Sequence, residues 1–66
     1  MQENKAPKDR NGTPLSGGDF VRVFLEHTER PDHTAKVLYT GEEKSTLEPV
    51  GGRGIEHIDN QNLEVL

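Results

Sequence analysis

No cysteine occurs anywhere in this chain. That excludes a disulfide framework, CxxC redox chemistry and thiolate zinc sites together. Tryptophan is also absent, the aromatics amount to two phenylalanines and one tyrosine, and no apolar run exceeds three residues. A membrane-spanning helix needs about 20 apolar residues and a signal-peptide core about 7 to 15, so neither is expected. With no cysteine and no export signal in view, the expected compartment is cytoplasmic.

What the chain does contain is charge, glycine and short alternating segments. Of 66 residues, 30% are charged and 29% hydrophobic. A domain of this size buries only about 60% of the surface its unfolded chain exposes, so modest stability and no more than one domain are expected. The net charge of −4 is unevenly spread: residues 1–10 carry three basic and two acidic side chains, and residues 11–66 carry five basic and ten acidic ones. An acidic body opposes tight binding to a phosphate backbone, whose affinity comes mainly from Lys and Arg neutralising phosphates. It favours a protein partner over nucleic acid.

Residues 1–10 lack apolar periodicity and are rich in charge, which predicts a disordered leader ahead of a folded domain over residues 11–66. Asn11-Gly12 is a strong turn dipeptide, and residues 16–19 (Ser-Gly-Gly-Asp) form a second turn signal after Leu15, the first expected core residue.

The most informative stretch is 20–27. Val21, Val23 and Leu25 alternate with Phe20, Arg22, Phe24 and Glu26 at the two-residue period of a strand. Glycines before it and β-branched or aromatic residues within it disfavour a helix. Residues 28–32, with Pro31, read as a polar loop. Strand alternation resumes over 34–40, with Ala35, Val37 and Tyr39 predicted on one face and Lys36, Leu38 and Thr40 on the other.

A weaker strand is expected over 45–50, then a loop at 51–54 where three glycines in four positions supply positive φ angles. Apolar pairing across that hairpin favours Val50 opposite Ile55, Leu47 opposite Ile58 and His57 facing Glu48; a two-residue turn would instead set Leu47 against Glu56. A strand at 55–58, a tight or 3₁₀ turn at 59–62 and a closing strand at 63–66 complete the pattern. The fold class expected is all-β, a small five-stranded barrel.

Two segments resemble a known family. Asp9-Arg10-Asn11-Gly12 followed by Leu15-Ser16-Gly17-Gly18-Asp19-Phe20-Val21, and Gly54-Ile55 followed by residues 58–66, are similar to the turn, first strand, 3₁₀ turn and last strand of SH3-like small barrels, including bacterial domains of the PhnA type. The resemblance implies architecture. There is no Trp, no paired tyrosines and no Pro at the 3₁₀ turn, so the polyproline groove of true SH3 domains is not carried over.

No catalytic constellation stands out. Ser16 and Ser45 lack a nucleophile-elbow context, and the Glu42-Glu43 pair lies in a polar loop with nothing to desolvate it. His27, His33 and His57 lie beside Glu26, Asp32 and Glu56, but without metal-ligand spacing, so no metal or other cofactor is expected. The glycine-rich loop lacks the phosphate-binding pattern and the helix that should follow it.

The sequence therefore points to a non-enzymatic protein-interaction module or small accessory subunit. Its candidate contacts are Phe20, Arg22 and Phe24 on the first strand, with Arg30, Tyr39 and Arg53. Two alternatives stand beside it. One is a nucleic-acid-binding barrel using Phe20, Phe24 and Tyr39 as stacking platforms with Arg22 and Lys36 on phosphates. The other is an acidic inhibitor masking a basic surface of another protein.

Overall fold

In the computed structural model, which describes residues 6–26 and 28–66, five strands form one antiparallel sheet in the order β4-β3-β2-β1-β5. The strands are β1 (Phe20–Phe24), β2 (Pro31–Tyr39), β3 (Lys44–Pro49), β4 (Glu56–Asp59) and β5 (Leu63–Val65), with a 3₁₀ turn, Asn60–Asn62, between the last two. β1 to β4 are a meander. β5 then returns to pair with β1, aligning Val21 with Val65 and Val23 with Leu63. β4 and β5 are the two edges and do not pair with each other, so the sheet is not closed into a barrel among the described residues.

The inner face follows from the β-branched residues the strands supply. Val21, Val23, Ala35, Val37, Leu47 and Leu63, together with Leu15, form the buried core, and Ile58 and Val65 pack against it. Burying one such side chain contributes about 1.5–3 kcal/mol. With so few of them, polar anchors carry an unusual share of the specification.

Two shifts of register change which side chains face inward. The β1–β2 register shifts between Val23 and Phe24, where Phe24 lies opposite Pro31. Proline has no N–H for the ladder, so a strand tolerates it at its first residue or at a bulge. The shift turns Phe24 into the interior and leaves Leu25 exposed, correcting the strict alternation expected over 20–27. β1 ends at Phe24 and β2 begins at Pro31, earlier than expected. The second shift lies between Val37 and Tyr39. It separates Tyr39 from the buried Ala35 and Val37, with which it was expected to share a face.

The β3–β4 hairpin takes the other register. Leu47 lies opposite Glu56, Thr46 opposite His57 and Ser45 opposite Ile58. Ile58 still reaches the core, because its partner Ser45 faces inward and is small. β3 meanwhile continues to Pro49 by pairing with β2 at Ala35. The connection that follows is long, with Gly51 and Gly54 at φ of 76° and 90°, where a side chain is disfavoured.

The expected leader is partly folded structure. Residues 1–5 lie outside the described residues, but Lys8 bridges Pro14, the Pro7 carbonyl accepts a hydrogen bond from the Leu15 N–H, and the Arg10 N–H donates to the Leu63 carbonyl. Asp9 is only 2% exposed. Its Oδ1 accepts from the N–H groups of Asn11 and Thr13, and its Oδ2 from that of Val65. Residues 7–10 are therefore hydrogen-bonded into the folded domain, ahead of the boundary expected at Asn11.

Candidate functional site

The expected contact residues do not converge on one patch. Phe20 and Arg22 lie on the outer face of β1, opposite Lys36 and Thr34 of β2. Phe20 is 49% exposed. On its other side the Leu66 N–H donates to the Phe20 carbonyl, so an exposed Leu66 flanks it. Leu66 was missed because only the β1–β5 pairing, invisible to local periodicity, brings it there. Tyr39 is 71% exposed and lies opposite Thr46, on the same outer face.

Phe24 is different. Its ring is buried, 8% exposed, beneath the Arg10 guanidinium, which sits 4.0 Å from the ring centroid. A cation over an aromatic face contributes about 0.5–1 kcal/mol at an exposed site. Phe24 thus holds the N-terminal segment to the sheet and does not extend the exposed face of Phe20.

Arg30 and Arg53 lie at the opposite end of the sheet from Phe20 and Tyr39. Arg30 is in the β1–β2 connection and Arg53 in the β3–β4 connection, and in an antiparallel meander both connections leave from the same end. Arg30 helps line an open depression of about 460 Å³ with Leu25, Thr28, Glu29, Pro31 and Asp32. It is wide open to solvent, unlike a formed ligand pocket.

The Arg22 charge on the outer face is paired. Arg22 Nη1 lies 3.0 Å from Glu64 Oε1 on the neighbouring β5, and the Asn11 amide donates to Glu64 Oε2 at 3.1 Å. The Arg22 hydrogen bond and then that of Asn11 hold the Glu64 carboxyl below the ordinary range. Lys36 stands opposite Glu48.

The histidines separate as well. His33 sits between two carboxylates, with Nε2 2.9 Å from Glu56 Oε1 and Nδ1 2.7 Å from Asp32 Oδ2. Only the doubly protonated ring donates to both at once. The Glu56 hydrogen bond, assisted by that of Asp32 and opposed by burial, raises its pKa above 6.5. His57 lies on the outer face, where Nδ1 shares a 3.1 Å hydrogen bond with Thr46 Oγ1; the pairing with Glu48 is not formed. His27 lies outside the described residues. Among the described residues, no group of three or more His, Asp or Glu side chains is placed to hold a metal ion.

A second anchor went unread in the sequence. Asn60, buried within the 3₁₀ turn, accepts from Ser45 Oγ at 2.6 Å and donates to the Gly41 carbonyl at 2.8 Å. The Asn60 N–H also donates to the Glu43 carbonyl at 2.8 Å. The corner between β4 and β5 is thereby fixed to the β2–β3 turn. Among the described residues, no helix is long and apolar enough to cross a membrane. No protein-family model, curated protein or solved structure matches this chain.

Proposed function

We propose that this chain is a small SH3-like domain of the cytoplasm that acts as a non-enzymatic protein-interaction module or accessory subunit. Support for the fold assignment comes from the strand order, with β5 returning beside β1 after a 3₁₀ turn. The observation that carries the function is the outer face of the sheet. Phe20, Leu66 and Tyr39 are large apolar side chains left about half or more exposed there, on a scaffold whose buried polar side-chain atoms all find partners among the described residues. Aromatic side chains on a rigid surface are the usual anchors of protein recognition.

The same face also carries Arg22 and Lys36, the latter opposite Phe20, and aromatic platforms with basic side chains are what a single-stranded nucleic acid would use. Pairing of Arg22 with Glu64 and the position of Glu48 opposite Lys36 weigh against that alternative. The acidic-inhibitor alternative draws on Glu42 and Glu43, both exposed in the β2–β3 turn.

The test is capture from a source-cell lysate, with and without nuclease, by wild type and by Phe20→Ser and Tyr39→Ser variants of unchanged circular dichroism. Each captured protein is identified and its affinity remeasured with purified material. Nuclease-resistant binding weakened about tenfold or more by either variant, the size of an interface hot spot, supports the module. Binding lost with nuclease transfers the face to nucleic acid. Binding unaffected by both variants but abolished by reversing Glu42, Glu43 and Glu48 to Lys supports the acidic inhibitor.

A further inference from the structure

We infer that Asn11-Gly12 is a self-modification site, restrained by Glu64, whose conversion loosens the N-terminal anchor. The inference is independent of the proposed binding face. Asn11 and Gly12 are both exposed in the loop that Asp9 organises. Gly12 has a φ of 83°, and a Cβ placed on it would meet nothing within 4 Å. Nothing on glycine therefore screens its backbone nitrogen from the preceding side chain.

The chemistry needs only water. The Gly12 nitrogen attacks Asn11 Cγ, forming a new N–Cγ bond and giving its proton to water, while the Cγ–Nδ2 bond breaks and Nδ2, taking one proton back from water, leaves as ammonia. The resulting succinimide is hydrolysed at one of its two carbonyls. Opening at Cγ gives aspartate, and opening at the main-chain carbonyl gives isoaspartate, with an extra methylene in the backbone. No electrons are exchanged with any other group.

Two contacts hold the reacting atoms in the folded state. The Gly12 N–H donates to the Asp9 carbonyl at 3.1 Å, and Asn11 Nδ2 donates to Glu64 Oε2 at 3.1 Å, across 53 residues of sequence. The second can be removed without touching the loop. Release of the amide from Glu64 frees Cγ to approach the Gly12 nitrogen, so Glu64 sets the rate.

The product does not fit the site. A carboxylate at position 11 cannot donate to Glu64 and repels it, and it adds negative charge beside Asp9. Isoaspartate also lengthens the loop between the Asn11 and Thr13 N–H groups, both of which donate to Asp9 Oδ1. Asp9 is the group that holds the Val65 N–H. Conversion therefore weakens the attachment of the N-terminal segment to β5.

The purified full chain, incubated warm in mildly alkaline buffer, provides the test. Peptide mapping follows conversion at each asparagine, and enzymatic methylation of isoaspartate identifies the product. Asn11 is expected to convert several-fold faster than Asn60 and Asn62 in the same molecule, Asn11→Gln to abolish the signal, and Glu64→Ala to convert several-fold faster than wild type. Arg22→Gln removes the other partner of Glu64 while leaving the Asn11 contact, and is expected to convert at the wild-type rate. Converted chain, separated by its extra negative charge, is expected to unfold at lower urea than unconverted chain. Asn11 no faster than Asn60, equal acceleration in Arg22→Gln and Glu64→Ala, or equal urea midpoints would each overturn the inference.

Discussion

Asp9 Oδ2 accepts the Val65 backbone N–H at 2.8 Å, joining residues 56 positions apart in sequence. Oδ1 of the same carboxylate accepts from Asn11 and Thr13. One side chain thus shapes the loop that precedes the sheet and covers the outer edge of β5, where an unpaired strand otherwise invites association. Replacement of Asp9 by alanine leaves these N–H groups without their acceptor. An expected loss of about 1–3 kcal/mol follows from the cost of an unsatisfied buried group, read as a lower urea midpoint. Asp9→Asn keeps one acceptor oxygen and is expected to fall between wild type and alanine. An unchanged midpoint for Asp9→Ala would return residues 7–10 to the status of a leader.

The same carboxylate sets the acid limit. Burial acts to raise its pKa, but backbone N–H donors from Val65, Thr13, Asn11 and Gly12 together bring it below the ordinary 3.8. Folding therefore favours the ionised form. Its contribution is complete above pH 3.8 and is lost as the pH falls through the lower folded value. Urea midpoints measured across that acid window are expected to drop more steeply for wild type than for Asp9→Ala.

His33 acts with the opposite sign. Glu56 and Asp32 raise its pKa above 6.5, so folding favours the imidazolium that ties the start of β2 to β4. The contribution is complete below pH 6.5 and is lost as the pH rises through the folded value. His33→Gln is expected to flatten the decline in stability above pH 6.5, and the ring proton resonances of His33 in wild type are expected to titrate above 6.5. A titration at or below 6.5 would remove the ion pairs from the solution structure.

Much of the strand content was legible because two-residue alternation is a local property. Val21 shares a face with Val23, and Ala35 with Val37, as their spacing requires, and both pairs enter the core. The inferences that failed depend on partners. Whether Phe24 follows the alternation depends on Pro31, which lies across the ladder. Leu47 faces Glu56 because Ser45 is buried by a bond to Asn60, which frees Ile58 to pack over it. Residues 7–10 looked unfoldable because much of their stabilisation comes through hydrogen bonds to Leu63 and Val65, at the far end of the chain. On the candidate face, Phe20 and Tyr39 could be named from their chemistry, while Leu66 joined them only through the pairing of β5.

The two phenylalanines of β1 therefore separate binding from stability. Phe24 is buried under Arg10, and its replacement by serine is expected to cost about 3–5 kcal/mol, the range for emptying a phenylalanine site. In a domain this small, such a loss approaches the whole stability. Phe20→Ser alters a half-exposed side chain and is expected to stay within about 0.5 kcal/mol of wild type. Urea denaturation distinguishes the pair, and equal losses would place Phe20 in the core and remove it from the candidate face.

Asn60 tests whether the closing corner is held by polar geometry. Its side chain is 3% exposed and spends both ends on partners from the β2–β3 turn and β3: Oδ1 on the Ser45 hydroxyl, Nδ2 on the Gly41 carbonyl. Asn60→Ala leaves Ser45 Oγ and the Gly41 carbonyl without those partners, at an expected cost of about 1–3 kcal/mol. Adding Ser45→Ala removes one of the two orphaned groups. Because the hydroxyl no longer needs a partner, the double variant is expected to be less than additive in its loss, with a coupling of about 0.5–3 kcal/mol. Gly41 tests the same corner from the other side, since a Cβ there would collide with the Lys44 carbonyl oxygen. Gly41→Ala is therefore expected to destabilise although its φ lies outside the left-handed region. If Asn60→Ala and Ser45→Ala are instead strictly additive in urea denaturation, the 2.6 Å bond between them contributes nothing to the fold. The attachment of the 3₁₀ turn would then rest on the Asn60 Nδ2 bond to the Gly41 carbonyl and the Asn60 backbone donor to the Glu43 carbonyl.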